Sequence, residues 1–297
     1  MTGTLRHITF REFVTLQRGF DLPTSTRIGG EYPVVASTSI NGFHNAYNAY
    51  KVEPPGVVTG RSGALGEVQY LQTRFWPLNT TLWVKDFKGN LPQYVYYYLK
   101  TLDLARFNSG AGVPTLNRND LDTLEVSVHN CMEQRKITAI LSAYDDLIEN
   151  NARRIAILEE MARALYREWF VRFRFPGHED IGMVESPLGP IPKGWEVKRI
   201  GDVLELAYGK ALKAEHRKQG LVPVYGSSGV VGLHDESLVS GPGIIVGRKG
   251  NVGSVFWSDA DFYPIDTVFY VRTDVSLHYI YYNLQHQNFI RIASREK

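Results

Sequence analysis

The chain has 297 residues, and its 33 lysine and arginine residues against 31 aspartate and glutamate residues give a formal net charge of +2. This near balance excludes a dense polycationic tail but not a local basic face. The one cysteine, Cys131, excludes a disulfide framework and a cysteine-based zinc site. The N-terminus has no signal-peptide core, and no apolar run reaches the roughly 18 residues of a membrane span. The composition therefore predicts a cytoplasmic protein of mixed α and β structure without a membrane segment.

Residues 1–132 are predicted to form a first, β-rich domain. Two short strands flank a glycine turn in VVTGRSGALGEV (57–68), and TLWVKD (81–86) is a further strand. The run YVYYYLKTLDLARF (94–107) is predicted to be a helix, because its apolar residues keep helical spacing. Short strands together with one helix favour a mixed α/β domain.

A single long helix is predicted within residues 133–174, because the stretch from Glu133 to Phe170 contains neither glycine nor proline. Its apolar residues alternate between spacings of three and four, which is typical of a coiled coil. The two seam positions of the heptad are occupied by Leu141, Ile148, Ile155, Ala162 and Trp169, and by Ile137, Tyr144, Asn151, Leu158 and Leu165. A seam asparagine costs stability but fixes the register. The alternative is a long helix packed against its own domain.

A linker rich in proline and glycine is predicted at 175–194, and a second copy of the first domain follows at 195–297. The copies share four ordered segments, displaced by about 190 residues. These are GEYPVVASTSINGFH with GLVPVYGSSGVVGLH, PGVVTGRSGALGEV with PGIIVGRKGNVGSV, FWPLNTTLWV with FYPIDTVFYV, and YVYYYL with YIYYNL. The second copy has no counterpart of GVPTLNR (112–118) or of the long helix, so we expect it to be incomplete at its C-terminal side.

The sequence contains no catalytic or metal-binding signature. A phosphate-binding loop of the form G-x-x-x-x-G-K-[ST] is missing, since Gly209 and Lys210 are followed by Ala211. The chain also has no H-E-x-x-H zinc motif, no G-x-S-x-G nucleophile elbow and no Asp/Asn-Pro-Pro-aromatic tetrad of amino-methyltransferases. We therefore assign no catalytic residue, no metal ligand and no cofactor to this chain.

Two arginines occupy equivalent positions in the copies, Arg61 in GRSG and Arg248 in GRKG. A role in recognising a nucleic acid fits them better than a role in catalysis. An arginine on a tight glycine turn can present its guanidinium to guanine O6 and N7 or to a phosphate. Ser62 and Lys249, which follow them, are candidates for the same surface. The alternative is that the glycines shape a hairpin and each arginine pairs with a carboxylate.

Further polar residues are candidate DNA contacts. Small hydroxyl residues follow a matched strand in each copy, namely Ser37 and Thr38, and Ser227 and Ser228. Their hydroxyl groups can donate to phosphates or base edges, and turn formation is the alternative for each of them. Asn79, which follows an aromatic–proline pair, corresponds to Asp266 in the second copy. Asparagine can read adenine whereas aspartate accepts from cytosine N4, so the two copies would prefer different bases.

These features resemble the specificity subunit of type I restriction–modification systems. The resemblance rests on the two copies with their G-R-x-G turns and on three more specific stretches. The three stretches are GAGVPTLNRNDLDTLEVSV (110–128), EQRKITAILSAYDDLIENNARRIAILEEMARALYREWF (133–170) and IPKGWEVKRIGDV (191–203). Together with the copies, they cover essentially the whole chain.

The resemblance implies an α+β fold with two similar mixed α/β target-recognition domains joined by a long coiled-coil helix. It implies that each domain reads one half of a split, asymmetric double-stranded DNA site, and that the helix docks methyltransferase subunits. S-adenosylmethionine, ATP and magnesium are then expected on partner subunits, which include a restriction and translocase subunit. The assembled complex would be an adenine-specific DNA methyltransferase and an ATP-dependent endonuclease.

Family members normally end with a second long helix antiparallel to the first, and this sequence departs from that pattern. Two chains could therefore pair their helices in a homodimer. Two other classes of function stay open from the residues alone. One is a stand-alone DNA methyltransferase or nuclease with an unrecognised site, and the other is a structural coiled-coil or glycan-binding repeat protein.

Overall fold

The computed structural model of the chain describes residues 5–37, 46–110 and 112–287, and it divides into two units, Met1–Ala152 and Arg153–Lys297. The division falls within the long helix, so each unit contains one end of that helix. The domain limits expected at residues 133, 175 and 195 stay predictions. Among the described residues, no helix is long and apolar enough to cross a membrane.

Short strands build the sheets of unit 1. The strands are β1 Arg6–Thr9, β2 Thr15–Arg18, β3 Tyr32–Val35, β4 Ala46–Tyr47, β5 Gly56–Gly60, β6 Val68–Leu71, β7 Trp76–Pro77, β8 Thr81–Asp86 and β9 Glu125–Val128. In the described part of the unit, antiparallel strands lie in the order β2-β8-β5-β6, a second sheet has the order β4-β3-β7, and β1 pairs with β9. Strand β5 is wholly buried, and Val57 and Val58 pack into different hydrophobic clusters. This is the alternation of side chains that an interior strand requires.

In the described part of unit 1, four α-helices begin: α1 Phe10–Phe13, α2 Pro92–Thr101, α3 Arg118–Asp122 and α4 Cys131–Tyr166. Helix α2 packs against β5 and β6 and begins at a proline, which suits the first turn because its missing N–H is not needed there. Leu102 is extended, with φ −82° and ψ 129°, and Leu104–Phe107 form a separate 3₁₀ turn that buries Leu104. The predicted helix is confirmed, but its continuation to residue 107 is wrong because Leu104 reaches the core only after this break.

Unit 2 repeats the strand order of unit 1. Its elements are β10 Met183–Val184, β11 Ile191–Pro192, α5 Ile200–Val203, β12 Glu205–Tyr208, β13 Val222–Gly226, β14 Gly229–His234, β15 Gly243–Gly247, β16 Val255–Ser258, β17 Tyr263–Pro264, β18 Val268–Arg272 and α6 Leu277–His286. Its two main sheets have the orders β12-β18-β15-β16 and β14-β13-β17, and β10 and β11 form a hairpin. The pair β13–β17 is parallel, like β3–β7 in unit 1. This correspondence confirms the predicted duplication of a mixed α/β domain.

The same glycine–phenylalanine contact recurs in the core of each unit. A Cβ atom on Gly56 would lie 2.2 Å from the ring of Phe75, and one on Gly243 would lie 2.5 Å from the ring of Phe262. Both phenylalanines are fully buried. The strands β5 and β15 therefore need glycine at their first residue, which explains why the P-G-apolar-apolar segment appears in both copies.

The long helix α4 confirms the predicted helix between the copies and continues into a π-helical turn, Arg167–Val171. Most of the predicted seam is exposed in the middle of this helix. The exposed seam residues are Leu141, Tyr144, Ile148, Asn151, Ile155, Leu158 and Leu165, while Ile137, Ala162 and Trp169 are partly buried. Since Ile148 is 66% and Leu158 60% exposed, this part of the helix does not pack against its own domain. The arrangement fits a helix of a coiled coil.

Polar groups hold the two ends of α4. At its start, the side-chain amide of Gln134 is fully buried and donates to Asn90 Oδ1 at 2.7 Å and to the His129 carbonyl at 2.8 Å, while its oxygen accepts from the Leu91 N–H at 3.0 Å. At its end, the hydroxyl oxygen of Tyr166 accepts from Asn283 Nδ2 at 2.9 Å. Burial raises the pKa of Tyr166 to about 12, because the charged phenolate is disfavoured away from water.

Replacing Gln134 by leucine should lower the free energy of unfolding of the chain by about 1–3 kcal/mol, because buried polar partners would lose their hydrogen bonds. Urea denaturation of the full chain measures this difference. Gln72→Leu is the matched control, since Gln72 is exposed in the same unit. Equal free energies of unfolding for the two variants would contradict the anchoring role of Gln134.

Candidate nucleic-acid interface

In unit 2, two loops meet at the end of the four-stranded sheet. The arginine turn (residues 247–250) follows β15, and the proline loop (residues 264–267) leads from β17 to β18. The backbone N–H groups of Arg248 and Lys249 both donate to the carbonyl oxygen of Thr267, at 2.9 and 3.0 Å. The glycine-flanked turn therefore holds the proline loop through its backbone, whichever side chains the two loops carry.

Unit 1 has the same junction, formed by its own arginine turn (residues 60–63) and proline loop (residues 77–80). Here the N–H groups of Arg61 and Ser62 donate to the carbonyl oxygen of Thr80, at 2.8 and 3.1 Å. The structure thus brings together residues that lie in separate motifs of the sequence, the G-R-x-G turn and the segment after the aromatic–proline pair.

The side chain of Arg248 is tightly held in unit 2. Its Nε and Nη2 both donate to the carbonyl oxygen of Asp266, at 3.1 and 2.6 Å. Its guanidinium carbon lies 5.2 Å from the ring centre of Tyr208 and 5.7 Å from that of Phe269, within cation–π range. The partner of this arginine is therefore a backbone carbonyl rather than the carboxylate considered from the sequence.

Arg61 is held much more loosely in unit 1. Its Nη1 donates to the carbonyl oxygen of Asn79 at 3.4 Å, a long hydrogen bond. The residues of β2 and β8 that correspond to the two aromatic rings of unit 2 are Arg18 and Leu82. Arg61 therefore lacks the aromatic neighbours that fix its counterpart. The two copies share the backbone junction but differ in the side chains around the arginine.

Three arginine residues border one cleft of unit 1. Arg18, Arg61 and Arg118 border a cavity of about 640 Å³ together with the polar residues Gln17, Ser109, Thr115 and Asn117. The GVPTLNR segment reaches this place because the Leu116 N–H donates to the Arg61 carbonyl at 2.8 Å. Such a cationic cleft suits a phosphate or the acceptor edge of a base.

The predicted hydroxyl residues occupy different environments. Ser37 is buried, and its hydroxyl donates to the Ser62 carbonyl at 2.6 Å, so it joins two loops, while its contact with DNA stays a prediction. Thr38 lies outside the described residues. Ser227 is partly buried, and its carbonyl accepts from Ser254 Oγ at 2.9 Å. Ser228 is exposed and accepts from the amide of Asn251 at 3.3 Å, which keeps it a candidate contact.

The equivalent residues Asn79 and Asp266 have different partners. The Asn79 amide donates to a carboxylate oxygen of Asp21, so part of its donor capacity is used within unit 1. The Asp266 carboxylate lies 3.4 Å from Lys249 Nζ, and 46% of the side chain is exposed. An accessible carboxylate accepts hydrogen bonds and cannot donate them, whereas an amide does both. The two positions therefore present different hydrogen-bonding groups.

Sequence reasoning missed Arg18 and Arg118, which border the same cleft as Arg61 in the candidate interface. The signal for Arg118 was its place in GVPTLNR, but the position of that segment depends on hydrogen bonds between distant parts of the chain. Within the ranges that the structure describes, no group of three or more histidine, cysteine, aspartate or glutamate side chains gathers as a metal site.

Comparison with known proteins finds a family model that matches most of the chain and relatives that match parts of it. A family model described as the type I restriction modification DNA specificity domain matches residues 8–160 and 192–294. The MjaIX specificity subunit of a type I restriction enzyme from Methanocaldococcus jannaschii is 36% identical over 125 residues, which are 41% of this chain and 29% of that protein. The MjaVIII specificity subunit from the same organism is 24% identical over 175 residues, which are 58% of this chain and 36% of that protein.

The fold is also similar to a solved structure. A crystal structure of the type I restriction-modification system S subunit from M. genitalium matches with a TM-score of 0.63 at 18% identity, over 100% of this chain and 80% of that one. The matches to the two curated relatives span only about a third of their lengths. At this identity the crystal structure supports the fold alone.

Replacing Ser37 by alanine should lower the free energy of unfolding by about 0.5–1.5 kcal/mol, because the Ser62 carbonyl loses its buried donor. Chemical denaturation of the full chain measures the loss. Ser227→Ala, at the aligned position of unit 2, is the control and should have the smaller effect. A Ser37→Ala variant as stable as the wild type would argue against this structural role.

Proposed function

The chain belongs to the family of type I restriction–modification DNA specificity domains, and on that premise we propose that it selects the DNA sequence on which separate catalytic subunits act. One observation carries the proposal: the same junction of arginine turn and proline loop occurs in both units, with different accessible groups around it. A shared scaffold with different surfaces suits the reading of two different short blocks of one DNA site. The site would then be split and asymmetric.

In each unit, bases would be read by side chains around the junction. Direct readout in the major groove distinguishes all four base pairs, and each good two-bond contact discriminates by about 1–3 kcal/mol. In unit 1 the groups for this task are the three arginines of the cleft and Ser62, and in unit 2 they are Lys249, Asp266 and Ser228. The net charge of +2 suggests that partner subunits supply many of the phosphate contacts.

The proposed partners are double-stranded DNA, methyltransferase subunits and a restriction and translocase subunit. S-adenosylmethionine, ATP and magnesium would be bound by those partners, and this chain would supply no catalytic group. The complex would methylate adenine, cleave DNA in an ATP-dependent reaction and work in the cytoplasm. The family of the chain supports this assignment, and no observation on the fold favours the stand-alone enzyme or the glycan-binding protein.

The exposed seam of α4 would receive a second helix. Contiguous exposed apolar residues at coiled-coil spacing mark an interaction site, because leaving them in water costs about 25 cal/mol per Å². Seam residues such as Ile148, Ile155 and Leu158 are each more than half exposed. A second copy of the chain offers an identical seam, so we propose a homodimer through this helix.

The DNA-reading function predicts a split methylation motif. When the chain is co-expressed with its cognate methyltransferase subunit, mapping of methylated adenines should give two defined blocks around an unspecified spacer. Arg61→Ala should change one block only, because it alters unit 1 alone. Arg11→Ala, at an exposed position of unit 1 outside the junction and outside α4, is the matched control and should leave both blocks intact. Methylation by the purified chain alone, or a motif of one uninterrupted block, would contradict the proposal.

The proposal of paired helices predicts that the wild-type chain and a variant of the seam differ in their mass in solution. The wild-type chain should be a dimer at micromolar concentration, and the double variant Ile148→Lys with Leu158→Lys should be a monomer, because charges would enter an apolar seam. Size-exclusion chromatography with light scattering measures both masses. The double variant Ala139→Lys with Ala156→Lys adds the same charge at exposed positions outside the seam. A monomeric wild-type chain, or two variants of equal mass, would contradict a homodimer through this seam.

A further inference from the structure

The Nε–Nη2 edge of Arg248, one of the two hydrogen-bonding edges of its guanidinium, is already in use within unit 2. An arginine that reads guanine needs two neighbouring N–H groups of its fork for O6 and N7. Here the Nε and Nη2 groups converge on a single carbonyl oxygen, that of Asp266, at 3.1 and 2.6 Å. The rings of Tyr208 and Phe269, whose centres are 5.0 Å apart, restrict the guanidinium further. Turning this side chain towards DNA would break all of these contacts.

The carboxylate of Asp266 is accessible, in contrast to the guanidinium of Arg248, which is held within unit 2. Arg248 binds the backbone oxygen of this residue, which leaves the side chain to other partners. Within the described part of unit 2, its ion-pair partner is Lys249, whose Nζ lies 3.4 Å from Oδ2. With 46% of the side chain exposed, the carboxylate remains accessible to a ligand on the surface of the unit.

Charge decides whether a carboxylate can lie against DNA. A lone aspartate would be repelled by the phosphates, and this repulsion decreases when a cation lies beside it. Lys249 is that cation, and 57% of its side chain is exposed. The pair therefore combines an acceptor suited to a base edge with a positive group suited to a phosphate.

Unit 1 lacks this arrangement although its backbone junction is the same. Arg61 makes one long hydrogen bond of 3.4 Å and has no aromatic ring at the two corresponding positions. Ser62 stands where unit 2 has Lys249, and the Asn79 amide is partly used by Asp21. The fixed arginine and the accessible acid are therefore a feature of unit 2 and not a requirement of the fold.

We infer that Asp266 is the base-reading group of unit 2 and that Arg248 is the residue that positions it. This inference rests on the proposed function and extends it to one base pair. An acceptor-only carboxylate recognises an exocyclic amino group in the major groove, which is N4 of cytosine or N6 of adenine. The block read by unit 2 then contains a base pair that Asp266 selects through this amino group.

A double-mutant cycle tests the inference in the complex of the full chain with its methyltransferase subunits. Fluorescence anisotropy measures binding to a duplex with the mapped site and to duplexes in which each base pair of both blocks is changed in turn. Asp266→Ala should reduce discrimination by roughly five- to tenfold at one base pair of one block. Arg248→Ala should reduce discrimination at that same base pair and leave the other block unchanged.

Coupling between the two substitutions separates positioning from direct reading. If Arg248 acts through Asp266, adding Arg248→Ala to Asp266→Ala should change discrimination by less than about twofold, because coupled residues are not additive. Arg248→Lys keeps the charge but loses the two-pronged donation, so it should reproduce the effect of Arg248→Ala. Discrimination at a base pair is a ratio of affinities and does not change when a variant is merely less stable.

The same anisotropy assay includes control variants and the results that would contradict the inference. Asp274→Ala removes another exposed carboxylate of unit 2 and should leave all ratios unchanged. Asp266→Asn keeps the size of the side chain and should shift preference towards adenine, which asparagine reads with two bonds. The inference is overturned if Asp266→Asn changes no ratio, or if Arg248→Ala abolishes discrimination at a second base pair in the Asp266→Ala background. A wild-type complex without sequence preference would instead overturn the proposed function itself, before any variant is compared.

Discussion

Two adjacent backbone N–H groups that donate to one carbonyl oxygen fix the candidate interface of each unit. Because peptide groups are planar and hydrogen bonds are directional, this contact sets the position of the arginine turn against the proline loop. The turn must also approach its neighbours closely. A Cβ atom on Gly60 would lie 1.7 Å from the carbonyl oxygen of Ala64, and one on Gly247 would lie 2.1 Å from that of Asn251. Glycine is therefore required at both positions, and the constraint falls on the backbone while the surrounding side chains can differ.

This separation of backbone and side chains explains how one fold can present two surfaces. In unit 2, two aromatic rings and a carbonyl hold Arg248, and a carboxylate stays accessible. In unit 1, the corresponding arginine borders a cleft that it shares with Arg18 and Arg118. The first surface offers an acceptor beside one cation, and the second offers a cluster of donors. Acceptors and donors suit different base edges, so duplication followed by change at a few positions is enough to give the two units different surfaces.

The sequence was informative wherever a structure depends on local pattern. The absence of glycine and proline and the heptad spacing predicted α4, and the matched segments predicted two copies with one strand order. It was less informative where the outcome depends on contacts between distant residues. The break at Leu102 follows from the burial of Leu104, and the buried position of Ser37 depends on its hydrogen bond to the Ser62 carbonyl. Neither the burial of Leu104 nor the hydrogen bond from Ser37 to Ser62 can be predicted from residue type or spacing alone.

The long helix combines two kinds of surface that have different physical consequences. Its ends are held by buried polar groups, Gln134 in unit 1 and Tyr166 in unit 2, whose hydrogen bonds are specific and costly to lose. Its middle carries apolar side chains at seam spacing that remain mostly in water. Polar anchors fix where the helix begins and ends against each unit, whereas an exposed apolar seam gains free energy only when another surface covers it. The anchors are therefore complete within the chain, while the seam is a surface suited to association.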